Sequence, residues 1–297
     1  MTCQVQREAS EYGIPAPTAK GRVRSIPPVF PATDDEMAMK FSKCFREFAG
    51  LAALATVLLG FASVAHAQIP YAQLVDGTTL PATLVQQLQA VSIRDVGKAT
   101  PSGKPSLKAV PDAAPVQGKP HVLYMGAEFC PYCAVVRWPL VVALMRFGSF
   151  EGLTVTRSSP TDVAANTATL SFVHATYTSR WIDFEAVETS DRMQRPLQKP
   201  TPAQLEKIKR FDREPYTKYP GSIPFLDIAD RWIMAGSPIN PSLLRGLDWF
   251  EAVDQLDSGK GPLWEAVLGE ADQITRALCG LTHGEPKTAC APLVGGK

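Results

Sequence analysis

Residues 126–137 read G-A-E-F-C-P-Y-C-A-V-V-R, which places two cysteines, Cys130 and Cys133, one helical turn apart. Three chemistries use such a pair: thiol–disulfide exchange, metal binding and a structural cross-link. Pro131 suits the first position of a helix, where its missing N–H has no intrahelical partner to lose. The Cys130 thiol is then expected at a helix N-terminus, facing unpaired N–H groups and the positive end of the helix dipole, which favour a thiolate. In exchange, Cys130 is the candidate nucleophile and Cys133 the resolving thiol, with Tyr132 between them. A cross-link between residues this close removes little chain entropy. A zinc site needs a second close pair, and Cys279 and Cys290 stand too far apart to supply one, so no metal is expected. Electron exchange is the expected chemistry. A peptide-binding module, or a metallochaperone gripping a soft ion such as Cu(I), is the alternative, although only Met125 stands near the pair.

An exchange centre of this kind needs a strand ending at Cys130 and a helix beginning there. Residues 121–127, H-V-L-Y-M-G-A, read as a buried strand, and the apolar run from Pro131 to about Phe147 reads as a helix that Pro139 is expected to kink. Residues 153–159 read as the next strand, and the order strand, helix, strand implies a parallel pair. Residues 170–177 and 181–189 both alternate apolar with polar and are expected to form a hairpin. Thr201-Pro202 opens an amphipathic helix through Leu205, Ile208 and Phe211. Two short apolar runs, 224–229 and 232–235, then suggest a tight antiparallel turn at Asp230-Arg231, and helices over about 241–256 and 262–281 close the chain. Upstream, 81–91 carries a short helical pattern, followed by a loop rich in Pro, Gly, Ser and Lys over 97–119. The expected class is α/β.

The chain has 297 residues, 45% of them hydrophobic, and a formal net charge of +1, a globular composition without a broad basic face. Nucleic acid is therefore not an expected partner. No glycine-rich phosphate loop or nucleophilic serine elbow stands out, and no cofactor is expected. From Met39, the basic residues Lys40, Lys43 and Arg46 precede an apolar stretch at 48–64 and the small-x-small triplet Ala65-His66-Ala67. This reads as a signal peptide over 39–67, cleaved before Gln68, which makes 1–38 a non-native upstream extension. The alternative is a membrane anchor at 48–64, close to the lower limit of the roughly 17–25 residues a spanning helix needs. The expected location is exported, periplasmic or otherwise extracytoplasmic. The mature chain keeps four cysteines, and in an oxidising compartment an even set favours disulfides. Cys279 and Cys290 read as a structural disulfide worth about 3 kcal/mol in the chain-entropy model; a second redox pair serving Cys130 and Cys133 is the other reading.

Strand, C-x-x-C, helix, strand and a later hairpin and helix resemble the thioredoxin fold, and C-P-Y-C is the form common in glutaredoxins. The resemblance implies a cis proline opposite the reactive thiol. Ser222-Ile223-Pro224-Phe225 fits this role, with Pro215, Pro220 and Pro238 as rivals. Ile223 and Pro224 would then dock a substrate strand by β-augmentation. Over nearly the whole mature chain, the stretches G-K-P-H-V-L-Y-M-G-A-E-F-C-P-Y-C-A-V-V-R-W, A-L-M-R-F-G-S-F, I-P-F-L-D-I and L-C-G-L-T-H-G-E-P-K-T-A-C resemble a thioredoxin-like family known as domain of unknown function 929. The implied layout is an N-terminal helix and linker over 68–119 and a thioredoxin-like domain over 120–297, with an inserted hairpin and helix at about 165–213. The implied activity is an oxidoreductase acting on thiols and disulfides of exported proteins. Pro-Tyr between the cysteines suggests a potential above thioredoxin's approximately −270 mV, hence oxidase or isomerase, with a reductase fed by a membrane redox partner as the alternative. One departure concerns protons: Tyr124 stands where thioredoxins carry a buried carboxylate, and Glu128 is the nearest replacement.

Overall fold

The computed structural model describes residues 74–100 and 105–294. The signal-peptide and anchor readings at 39–67 and 48–64, and the upstream stretch 1–38, lie outside the described residues. The main sheet has five strands in the spatial order β1 (Lys108–Ala109), β9 (Trp232–Ala235), β8 (Phe225–Ile228), β2 (His121–Gly126) and β7 (Asp183–Glu188). Two of its three inner strands, β2 and β8, read H-V-L-Y-M-G and F-L-D-I, apolar runs rather than alternations, because both of their faces are covered. β2 pairs parallel with β7 and antiparallel with β8, and β8 pairs antiparallel with β9, so the sheet is mixed. Six α-helices are present among the described residues: α1 (Ala82–Arg94), α2 (Pro131–Met145), α3 (Pro202–Phe211), α4 (Trp249–Asp257), α5 (Pro262–Leu281) and α6 (Lys287–Val294). The chain is a mixed α/β protein.

The parallel partner of β2 is β7, not the segment 153–159 that the order strand, helix, strand predicts. That segment forms β4 (Thr154–Arg157), which pairs antiparallel with β5 (Ala168–Ser171). The hairpin predicted over 170–189 does not form either. Its first half breaks at a turn around Val173 and His174, and β6 (Thr176–Ser179) pairs with β3 (Gly148–Glu151). The apolar pattern of a short strand shows which faces are covered but not which strand lies beside it. Long-range contacts decide that: Trp138 Nε1 donates to the Ala168 carbonyl at 3.1 Å, and Trp249 Nε1 donates to the Thr169 carbonyl at 2.8 Å, pinning β5 against α2 and α4.

The two faces of the sheet follow the strand period. Val122, Tyr124, Leu226, Ile228 and Met234 face the main core with α1, α2, α4 and α5. Met125, Val187, Phe225 and Ile233 form a smaller core closed by Phe211 at the end of α3. α3 starts at a full capping box, with Thr201 accepting from the Gln204 amide and Gln204 returning the bond to the Thr201 amide. α2 is apolar all round apart from Arg137 and buried on every side except at Tyr132, which is why it can run through the centre. It continues through Pro139 to Met145, within the range expected for it. The helix predicted over 241–256 divides into a 3-10 turn at Pro241–Leu244 and α4, because Asp248 caps a new start with Glu251. Neither β1, inside the loop expected at 97–119, nor α6 was signalled by periodicity.

Candidate functional site

β2 ends at Gly126, and the chain reaches α2 through four residues, the last of which is Cys130. Cys130 is the N-cap of α2, extended at φ −78° and ψ 121°, with Pro131 at the first helical position. Its carbonyl accepts the Ala134 amide at 3.0 Å, so the cysteine is locked to the first turn. Cys130 and Cys133 are both thiols, and both are 0% exposed. The connection is tied down on two sides: the Glu128 amide donates to the Ser190 carbonyl and the Ser159 amide donates to the Phe129 carbonyl, each at 2.8 Å. Glu128 and Tyr132 are half-buried at its rim.

Beside Cys130 lies the segment that leads into β8, the antiparallel neighbour of β2. Cys130 Sγ lies 3.9 Å from the Ile223 carbonyl oxygen, and the Ile223–Pro224 bond is cis. Among the rival prolines, Pro215 is also preceded by a cis bond, whereas Pro220 and Pro238 are not. The fold thus brings Cys130, Cys133, Pro131, Tyr132, Ile223 and Pro224 into one place at the C-terminal end of β2.

Beneath the cysteines lies a group of charges the sequence reading missed. Arg137, one turn beyond Cys133 on α2, grips Glu188 at the end of β7 through two bonds, Nε to Oε1 at 2.8 Å and Nη2 to Oε2 at 2.6 Å, with both side chains 0% exposed. Burial pushes the Glu188 carboxyl above its ordinary range, and the Arg137 charge pulls against that. Burial also opposes the Arg137 charge, but the Glu188 carboxylate, by its charge and its hydrogen bonds, outweighs it and raises its pKa. The Arg137 guanidinium lies 5.9 Å from the centre of the Tyr124 ring. Tyr124 is fully buried, packs edge-to-face on Phe172 at 5.3 Å, and has no hydrogen-bond partner for its hydroxyl among the described residues. Burial raises the pKa of that hydroxyl well above its ordinary value, so it stays a neutral phenol. The buried carboxylate at this centre is therefore Glu188 rather than Glu128. One signal for it was present: a lone arginine in an otherwise apolar helix needs a buried partner.

Cys279 and Cys290 form a disulfide with Cα atoms 5.6 Å apart, joining α5 to α6. Arg146, just past the end of α2, donates to Asp272 and Thr275 of α5, both at 2.7 Å. Cys279, one turn beyond Thr275, therefore sits towards the opposite end of α2 from Cys130, a helix spanning about 22 Å at 1.5 Å per residue. No group of three or more His, Cys, Asp or Glu side chains arranged to hold a metal occurs among the described residues. A cleft of about 420 Å³ lined by His121, Glu185 and Lys207 opens at the start of β2, the end away from the thiols.

A family model described as a domain of unknown function, DUF929, matches residues 106–280, more than half of the chain. The chain belongs to this family. No curated protein and no solved structure matches it. The DUF929 stretch runs from the segment before β1 to the end of α5, so it holds Cys130, Cys133, Arg137, Glu188 and Pro224. It includes Cys279 but stops before Cys290.

Proposed function

We propose that this DUF929 protein is an exported thiol–disulfide oxidoreductase of thioredoxin-like fold, an oxidase or isomerase for cysteines of other exported proteins. The observation that carries the reading is the Cys130 thiol at the start of α2, facing the Ile223 carbonyl next to the cis bond to Pro224. The chain order β2, α2, parallel β7, α3, antiparallel β8 and β9, then helices, supports it as a thioredoxin-like arrangement. In this reading the inserted element is β3 to β6, from Gly148 to Ser179, in place of the expected 165–213, because α3 follows the parallel strand as part of the basic unit.

In the oxidising direction, a partner thiolate attacks the Cys130 sulfur of a Cys130–Cys133 disulfide, and Cys133 leaves as a thiolate. A second partner thiolate attacks the partner's own sulfur in the mixed disulfide, and Cys130 leaves. The partner loses two electrons and the pair gains them; a membrane redox partner then takes them on. In isomerisation the Cys130 thiolate attacks a substrate disulfide and releases one substrate thiolate; another substrate thiolate then attacks the substrate sulfur of the mixed disulfide and Cys130 leaves, with no net transfer of electrons. The helix N-terminus favours thiolate at Cys130. The Cys279–Cys290 disulfide is a staple for the C-terminal helix and fits an oxidising compartment. The test is a Cys130→Ser variant assayed on a reduced and on a scrambled disulfide protein. Loss of both activities is expected; full retention would remove exchange and favour a peptide-binding module.

A further inference from the structure

The nucleophile of the proposed reaction is shut away: Cys130 is 0% exposed, and Ile223 lies against its sulfur. What holds Ile223 there can be traced. Between α3 and Ile223 runs a loop, 213–222, whose far end is gripped by Asp212, the residue that caps α3. Asp212 is only 6% exposed. Its carboxylate oxygen Oδ2 accepts the backbone N–H of Gly221, two residues before Ile223. Gly221 adopts φ +87° with open space where a Cβ would stand, so the glycine serves the turn that aims its amide at the carboxylate. The second oxygen, Oδ1, is buried with no hydrogen-bond partner among the described residues. Ile223 also packs against the smaller core, and the buried carboxylate ties the turn just before it to the end of α3.

We propose that Asp212 is a positioning residue for Cys130: through the amide of Gly221 it seats Ile223 over the thiol, and release of that grip uncovers the thiol to a partner. The inference rests on the redox reading for its purpose, but access to the thiol is measurable without it. Two variants, Asp212→Ala and Asp212→Asn, are compared with the wild type, all fully reduced. The rate at which iodoacetamide alkylates Cys130 is followed by mass spectrometry of the peptide carrying it. Asp212→Ala is expected to speed alkylation about tenfold or more, the effect of removing a charge-assisted bond from a local opening equilibrium. Asp212→Asn, which keeps one acceptor oxygen, is expected to fall between the two. An unchanged rate in a folded Asp212→Ala protein overturns the proposal. Should that variant fail to fold, amide hydrogen exchange on the wild type decides: Gly221 is expected to be protected well beyond its neighbours in the loop, and equal protection overturns the proposal. Faster alkylation without any exchange activity would instead count against the redox reading and leave the latch standing.

Discussion

Replacing Arg137 by methionine should expose the energetics beneath the cysteines. The wild-type pair is bidentate, with bonds of 2.8 and 2.6 Å, and neither side chain touches solvent. Arg137→Met leaves the Glu188 carboxylate buried and unpaired, which costs about 3–5 kcal/mol, a large share of the roughly 5–15 kcal/mol that keeps a domain folded. The loss should depend on pH with a definite sign. Burial already raises the Glu188 pKa above 4.5, and removal of the guanidinium raises it further. With the folded pKa above the unfolded one, the folded variant keeps a proton that the unfolded chain has released. Its stability therefore falls as pH rises above 4.5, by about 1.4 kcal/mol per pH unit until Glu188 ionises in the folded state. Urea denaturation at several pH values measures this. The double variant Arg137→Met/Glu188→Leu should return to within about 1 kcal/mol of the wild type and lose the extra pH dependence. A single variant that loses less than about 1 kcal/mol, with the wild-type pH profile, would refute the reasoning.

Gly126→Ala would put a Cβ against the Tyr124 hydroxyl and 2.7 Å from its ring carbon Cζ; a loss of about 1–3 kcal/mol in denaturant unfolding is expected, partly recovered by adding Tyr124→Phe. Replacing Cys279 and Cys290 together by alanine should lower stability by about 3 kcal/mol and leave the Cys130/Cys133 potential unchanged; a shifted potential would restore the relay. Glu270, 3% exposed and accepting from Ser106, is pushed by burial from 4.5 to about 7. The wild type should thus lose stability as pH rises through that window, and Glu270→Gln should lack the loss, gaining about 3 kcal/mol on the wild type above it.

The parts of the site that were legible in the sequence are those fixed by residues close together in the chain. Cys130-Pro131 marks a strand-to-helix junction because proline has no N–H to lose there, and Thr201 with Gln204 marks the start of α3 by reciprocal bonds. α5 runs from Pro262 to Leu281, the range that its apolar period and its leading proline indicate. Partners distant in sequence were not legible. β4 and β7 both carry strand patterns after α2, and only packing of β4 and β5 against Trp138 and Trp249 decides that β7 reaches β2. Glu188 closes an alternating edge strand and reads as a solvated charge until Arg137 is placed opposite it. The cover over Cys130 was hidden for the same reason, since Asp212 acts on an amide nine residues further on, across a loop with no period of its own.

The most direct measurement is the equilibrium reduction potential of Cys130 and Cys133 in the chain that begins at Gln68. It would be titrated against glutathione, with alkylation and mass spectrometry reading each cysteine pair separately. The expected result is a reversible two-electron couple between about −120 and −200 mV, with Cys279 and Cys290 oxidised throughout. A pair that forms no Cys130–Cys133 disulfide at any poise would contradict thiol–disulfide exchange altogether; a couple near −270 mV or below would reverse the direction of electron flow.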